Sequence, residues 1–314
     1  MINIYKTNIS TKRMEEIDKI VKGCWINMVA PTIEEIASVA STLNISEQLL
    51  KYPLDISERP HIDKDLDQIL IIVDVPAIEI KNGMRAFTTM PLGIISVRDD
   101  IFITISNINS GSIDSILNGS KKDLVFTEQK SRFVFKILYN IANDYIKYMS
   151  YISKDIEDFE NHMYKSMTNK ELMQLLEFEK SMIYFSTSIK ANQVVLQKIN
   201  RGNTIKLYDE DLELLEDTII ENTQAMEMVK IYSEILNGII EIFGTIINNN
   251  VNTVMKFLAA ITIIIAIPTM VASFMGMNVT FPFSTGIEGF IGITFLAIIV
   301  TVFSAIWLKN KNML

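Results

Sequence analysis

Cysteine and histidine are scarce in this 314-residue chain, which holds one cysteine, Cys24, and two histidines, His61 and His162. A lone cysteine closes no disulfide within the chain, and Cys24 reads as a small buried apolar residue. The Cys/His spacing of a zinc site is absent, and so is the Gly-rich loop ending in Gly-Lys-Ser/Thr that cradles nucleotide phosphates. Neither a nucleophile–base pair nor a cofactor motif is present. The chain therefore reads as no enzyme, with no organic cofactor and no work driven by ATP bound to it. A basic surplus is lacking too: 29 Lys and Arg stand against 37 Asp and Glu, a net charge of −8. That argues against nucleic acid as a partner. It is compatible with cations, although ordinary solvated acidic faces explain most of these carboxylates. Residues 1–10 show no basic flank followed by an apolar core, so no secretory signal is expected and the bulk of the chain is expected in the cytoplasm.

Charge is missing altogether from two runs near the C-terminus, 257–275 and 289–308. They raise the apolar share to 49% and the mean hydropathy to +0.25. Each has about the ~20 residues that an α-helix needs to cross a bilayer. Lys256 precedes the first run, Lys309 and Lys311 follow the second, and the intervening loop 276–288 has neither Lys nor Arg. By the positive-inside rule both termini are cytoplasmic and the loop is outside. The expectation is a multi-pass protein of the cell membrane, with the lipid bilayer as a partner.

The earlier part of the chain is mixed. A strand is expected at 24–29. A helix follows through Leu43, with Thr32 as N-cap and Glu35 completing a capping box. A buried strand is expected at 68–75, and three more at 84–89, 93–97 and 101–106, split by Pro91 and by a turn at Asp99-Asp100. From Thr127 strand signals vanish. Long helices are expected at 128–165 and 169–200, and a third from Asp209 that runs unbroken into the first apolar span, roughly 90–100 Å of rod. Leu215, Ile219, Asn222, Met226, Val229, Ser233, Leu236, Ile240, Phe243 and Ile247 recur at alternating steps of four and three. That is a coiled-coil-like seam, or equally a face packed on the two preceding helices. The fold class is thus an α+β cytoplasmic domain, a helical stalk and two C-terminal transmembrane helices. The expected divisions are an α/β domain at 1–126, a helical hairpin at 127–203, a stalk at 204–256, spans at 257–275 and 289–308 about the loop 276–288, and a tail at 309–314.

The first span is not uniformly apolar. Asn252, Met255, Ala259, Thr262, Ala266, Thr269 and Ser273 step alternately by three and four and so share one face. A small, weakly polar stripe on a membrane helix faces another helix or lines a watery path. Two spans cannot enclose a path, so the second alternative requires a ring of identical chains. Asn248, Asn249, Asn250 and Asn252 crowd the inner end of the span, either as a hydrated mouth or as simple juxtamembrane polarity. Met255 and Leu258 above them suit a constriction that closes by dewetting. Pro268 interrupts the span as a flexure or as a tolerated membrane proline.

Gly276-Met277-Asn278 closes this span. Before it stands Asn252-Thr-Val-Met255-Lys256-x-Leu258, and within it Pro268. Upstream lie Glu58-Arg59-Pro60 and Thr89-Met90-Pro91-Leu92-Gly93-Ile94-Ile95. Together with the long helices, this pattern resembles the CorA family of divalent-cation transporters over nearly the whole chain. The resemblance implies a funnel-shaped homopentamer that conducts Mg²⁺. Gly276, Met277 and Asn278 would form an outer selectivity ring, Asn278 holding the hydrated ion and Gly276 letting the chain turn at the helix end. Asn252, Met255 and Leu258 would line an inner neck, and Thr269 the middle. Mg²⁺ dehydrates reluctantly, so neutral amide oxygens suit it: they hold the ion through its waters without trapping it.

The resemblance also implies regulation by cytoplasmic Mg²⁺. The stalk aspartate of that site falls at Asp217, and its partner at Asp55, since the aligned spot reads Lys51-Tyr52. Met275 stands where the family commonly has Tyr, and the outer loop has Glu288 as its only charge. The function expected is passive Mg²⁺ uptake, with Co²⁺ or Ni²⁺ admitted, driven by the membrane potential. The alternatives are transport of Zn²⁺ or another transition metal by the same architecture and, more remotely, a membrane-tethered scaffold. Softer ions favour His, Cys or carboxylates along the route, and the first span has none.

Overall fold

The computed structural model describes residues 1–8, 10–11, 13–65, 68–81, 83–97, 101–117, 126–163, 169–202, 205, 208–277 and 287–313. They form two units, Met1–Asn237 and Gly238–Leu314.

The first unit is built on a seven-stranded mixed sheet. Its strands are β1 (Ile2–Asn8), β2 (Arg13–Glu16), β3 (Trp25–Val29), β4 (His61–Asp65), β5 (Gln68–Lys81), β6 (Met84–Val97) and β7 (Ile101–Ser106), in the order β2-β1-β3-β7-β6-β5-β4. Only β3 and β7 pair in parallel. Between β3 and β4 come α1 (Ile33–Leu43), α2 (Glu47–Lys51) and a 3₁₀ turn (Tyr52–Leu54). The capping box holds as expected: the Glu35 N–H donates to Thr32 Oγ1 at 3.2 Å, and Glu35 Oε2 accepts from the Thr32 N–H at 2.9 Å. After β7 follow α3 (Gly111–Leu117), α4 (Lys130–Met163) and α5 (Asn169–Asn200).

Strand alternation sends side chains to both faces of the sheet. Ile26, Met28, Ile72, Ile95, Ile103 and Ile105 meet Ile36, Val39 and Ala40 of α1 and Leu50 of α2 on one side, and Cys24 is buried in the same cluster. On the other side Trp25, Phe102 and the α4 residue Phe133 gather with ring centroids 4.4–6.1 Å apart. Trp25 Nε1 donates to Thr104 Oγ1 at 2.8 Å, which donates in turn to Asn27 Oδ1 at 2.9 Å. The Trp25 ring N–H, the Thr104 hydroxyl and the Asn27 side-chain carbonyl on this face are thereby paired.

Five elements differ from the sequence expectation. β1, β2 and α3 carry no strong periodic signal and were not expected. β5 runs on to Lys81, and β6 is continuous through Pro91 rather than split by it. The reason lies in what Pro91 faces. Its cross-strand partner Asp74 gives its N–H to Asn192 Oδ1 (2.9 Å) and its carbonyl to Asn192 Nδ2 (2.8 Å) and Tyr145 Oη (3.1 Å). The pair therefore needs no N–H from residue 91. Toward β7 the ladder begins only at Leu92, so the missing donor falls where that neighbour has ended. The expected turn at Asp99-Asp100 and the break at 166–168 lie outside the described residues.

Asp74 lies in a buried polar knot: Ser188 Oγ donates to its Oδ2 at 2.5 Å and lies 2.9 Å from Thr89 Oγ1. Burial raises the Asp74 pKa, and the Ser188 hydrogen bond offsets this in part. The folded chain therefore holds the proton more tightly than the unfolded chain. This residue's contribution to stability is most favourable below its ordinary value of 3.8 and falls as the pH rises through the higher folded value. Asp74→Asn keeps an acceptor for Ser188 and removes that slope. Melting curves from pH 4 to pH 7 are expected to show the variant gaining on the parent as the pH rises; a constant difference refutes it.

α6 (Asp209–Met275) is one helix of 67 residues, unbroken as expected. In its first part Leu215, Asn222, Val229 and Leu236 are buried as the seam requires. The positions between them are shifted by one: Thr218 and Ala225 are fully buried, while Ile219 and Met226 are half-buried. Small side chains at these points allow close approach, and Asn222 Nδ2 reaches the Ile189 carbonyl (3.3 Å) and Gln193 Oε1 (2.6 Å) of α5. The polar interruption of the seam is thus a bond to the preceding helix. The displaced isoleucines Ile220, Ile231 and Ile235 are more than two-fifths exposed.

Candidate functional site

The second unit holds the C-terminal part of α6 and α7 (Ile287–Asn310). Both helices are long and apolar enough to cross a membrane. On α6 the covered line is Ala260, Ile261, Ile264, Ile267 and Val271. On α7 it is Gly289, Ile293, Ala297, Thr301, Ser304 and Leu308. Both lines keep helical spacing, and Ala260 and Leu308 are essentially inaccessible. These are the faces of the two helices that are covered, the α7 line being mostly small residues.

The polar stripe lies elsewhere on α6. Asn252, Met255, Leu258, Ala259, Thr262, Ala266, Thr269 and Ser273 are all exposed, as are Asn248, Asn249 and Asn250. Packing against the chain's own second span is therefore not what this stripe does. Thr262 Oγ1 donates to the Leu258 carbonyl at 2.8 Å, and Thr269 Oγ1 to the Ile265 carbonyl at 2.9 Å. Each hydroxyl proton is thus taken up by the helix, and the oxygen presents its lone pairs outward as an acceptor. The water around a cation points its hydrogens away from the ion, so a line of acceptors is the complement of a hydrated cation. Pro268 withholds an N–H from the Ile264 carbonyl, four residues back, yet the helix continues through it.

At the outer end the Gly276 N–H donates to the Ala272 carbonyl (3.0 Å) and the Met277 N–H to the Phe274 carbonyl (3.3 Å). The helix ends at Met275 and the chain turns at Gly276, without the left-handed backbone that would require glycine. Its φ is not among the positive values of the chain, and an added Cβ would meet only the carbonyls of Ser273 and Ala272 at 3.5 and 3.7 Å. Among the described residues nothing demands glycine here. Met277 is exposed. Asn278 lies outside the described residues.

Asp217 and Asp55 are both exposed side chains of the first unit. Asp55 Oδ1 accepts from the Ser57 hydroxyl (2.7 Å) and N–H (2.9 Å), which lowers its pKa. Among the described residues no group of three His, Cys, Asp or Glu side chains is placed to hold a metal ion. Two features escaped the sequence reading. The outward isoleucines of α6 were hidden by the one-residue shift of the seam. The small-residue line of α7 was legible as recurring Gly, Ala, Thr and Ser at steps of three and four.

Comparison with known proteins bears on this arrangement. The family described as CorA-like Mg²⁺ transporter protein matches residues 22–310. The chain is 26% identical over 291 residues to the cobalt/magnesium transport protein CorA of Methanocaldococcus jannaschii, covering 91% of this chain and 90% of that protein. The solved structure of the complete CorA magnesium transporter from the same organism superposes with a TM-score of 0.81 at 24% identity, covering 99% of this chain and 96% of that one. The full-length CmaX protein superposes with a TM-score of 0.69 at 15% identity, over 99% and 97% of the two chains. At these identities the solved structures speak to the fold.

Proposed function

Because the chain belongs to the CorA-like Mg²⁺ transporter family, we propose that it is a passive path for divalent cations into the cytoplasm, with Mg²⁺ as principal cargo and Co²⁺ and Ni²⁺ also admitted. The observation that carries this reading is the stripe from Asn252 to Ser273, which the chain's second span leaves uncovered. One chain cannot enclose a path, so identical copies gather their stripes about a common axis, five of them in the arrangement the resemblance implies. The exposed Ile220, Ile231, Ile235 and Ile242 supply apolar area for contacts between copies.

In such a ring Asn252, Met255 and Leu258 form the inner constriction, the threonine oxygens line the middle, and Gly276, Met277 and Asn278 form the outer ring. The glycine then serves the assembly: with no side chain at 276, neighbouring copies close up without filling the axis. Both termini lie in the cytoplasm. A divalent ion moving inward gains about 4–5 kcal/mol per 100 mV of potential, inside negative, so no nucleotide is needed. Asp217 of one copy and Asp55 of the next hold the regulatory Mg²⁺: a site built between copies needs no metal cluster within one chain.

Flux in proteoliposomes under an inside-negative potential tests the reading, with Mg²⁺, Co²⁺ and Zn²⁺ measured side by side. Mg²⁺ and Co²⁺ are expected to enter at least about tenfold faster than Zn²⁺, a difference in barrier of ~1.4 kcal/mol. Zn²⁺ as the fastest ion assigns the protein to transition-metal transport instead. No flux of any of the three leaves a scaffold.

A further inference from the structure

The unit Met1–Asn237 contains a cavity of about 720 Å³ that the transport reading does not use. Its floor is apolar, made by Ile69 and Ile71 of β5, Ile94 of β6 and Val134 of α4. The first turns of α4 and α6 form its walls, bringing Ser131 and Arg132 from one and Asp211 from the other, and Glu128, just before α4, lines it too, its carboxylate 3.7 Å from Lys6 Nζ. Ser131 is 6% exposed and Asp211 4%. Neither side chain has a hydrogen-bond or ion-pair partner among the described residues. Asp211 faces a space large enough for a small molecule.

We infer that this cavity binds a small zwitterion of the amino-acid or dipeptide class with an apolar side chain. Asp211 asks for a positively charged donor, which an ammonium supplies. The α4 side asks for the opposite sign: the first N–H groups of that 34-residue helix lack intrahelical acceptors, and Lys130 and Arg132 stand beside them. The Lys130 ammonium is anchored to the Val97 carbonyl at 2.9 Å and contributes its field rather than a free hand. A simple anion meets the repulsion of Asp211, and a simple cation leaves the α4 N–H groups without an acceptor. A molecule with both charges on an aliphatic body satisfies the two walls and covers the isoleucine floor. Ser131 adds a hydroxyl that donates to the carboxylate of the ligand.

The site is independent of the transport reading, since its residues all lie in one unit and binding is read without flux. The test uses the full-length protein in detergent, followed by its melting temperature and by calorimetry. The probes are L-leucine and leucyl-leucine, with isoamylamine and isocaproate as single-charge controls and Mg²⁺ alone as the cargo control. At least one zwitterion is expected to bind saturably by ~10 mM, each control about tenfold or more weaker, a gap that marks the second charge as used. Asp211→Asn is expected to weaken that binding about tenfold, and Ser131→Ala several-fold. If Asp211→Asn does not fold, Ser131→Ala decides. The inference is overturned if neither zwitterion binds, if a control binds as well, if the deciding variant binds unchanged, or if Mg²⁺ alone produces a response that the deciding variant abolishes.

Discussion

Asn278→Ala is expected to lower Mg²⁺ flux in proteoliposomes about a hundredfold or more while the oligomer remains intact. In the proposed assembly the outer ring works through amide oxygens that accept hydrogens from the water of the ion. Removing one such bond costs about 0.5–1.5 kcal/mol, and a ring of identical copies loses all of them together. The sum over roughly five positions is ~3–5 kcal/mol, which is a factor of a hundred to several thousand in rate. Size-exclusion chromatography is expected to show an unchanged assembly. Asn278→Asp separates two explanations. A carboxylate ring binds Mg²⁺ more tightly and releases it more slowly, so apparent affinity rises while maximal flux falls. Undiminished flux in Asn278→Ala refutes the assignment of the outer ring to this residue.

Gly93→Val is expected to have the largest effect on folding. A Cβ at residue 93 would lie 2.2 Å from Pro53 Cγ, 2.7 Å from Pro53 Cβ and 3.0 Å from Ile105 Cγ2. Pro53 is a rigid ring buried in the 3₁₀ turn that rests on β6, so it cannot rotate out of the way. The turn must lift, and the bond from Asn107 Nδ2 to the Leu54 carbonyl, 2.7 Å long, goes with it. Overpacking of this kind costs about 1–3 kcal/mol and at times more, which lowers the melting temperature by roughly 2–12 °C for a unit of this size. Burial of Trp25 makes its fluorescence a readout. An unchanged melting temperature shows that the turn yields freely. Gly93 belongs to the stretch Thr89–Ile95 that carries part of the family resemblance, and the contact with Pro53 is a physical reason for glycine at that point.

Much of this was legible along the chain because helix and span signals are local. The Thr32 capping box, the start of α6 at Asp209 and the two uncharged runs each depend on residues within a few positions of one another. So does the membership of the stripe, since spacing alone says which side chains share a face. The β5–β6 hairpin was legible only in part. Asn82-Gly83, a dipeptide favoured in two-residue hairpin turns, sits between its arms, but Pro91 argued against a continuous second arm. The outcome turned on Asn192 and Tyr145, more than fifty residues away, which take the backbone groups of Asp74.

By itself the sequence determined the long helices, the two apolar spans, and the neutral, oxygen-bearing face of the first of them. These follow from composition and period, which a chain carries whatever it later touches. Tertiary structure alone decided what each face meets. It buried Thr218 and Ala225 rather than Ile219 and Met226, covered Ala260 and Val271 rather than Thr262 and Thr269, and left Asp211 facing a cavity. Period fixes an angle around a helix axis. Which side of that axis is covered depends on the shapes of neighbours distant in sequence, and these exist only once the chain has folded.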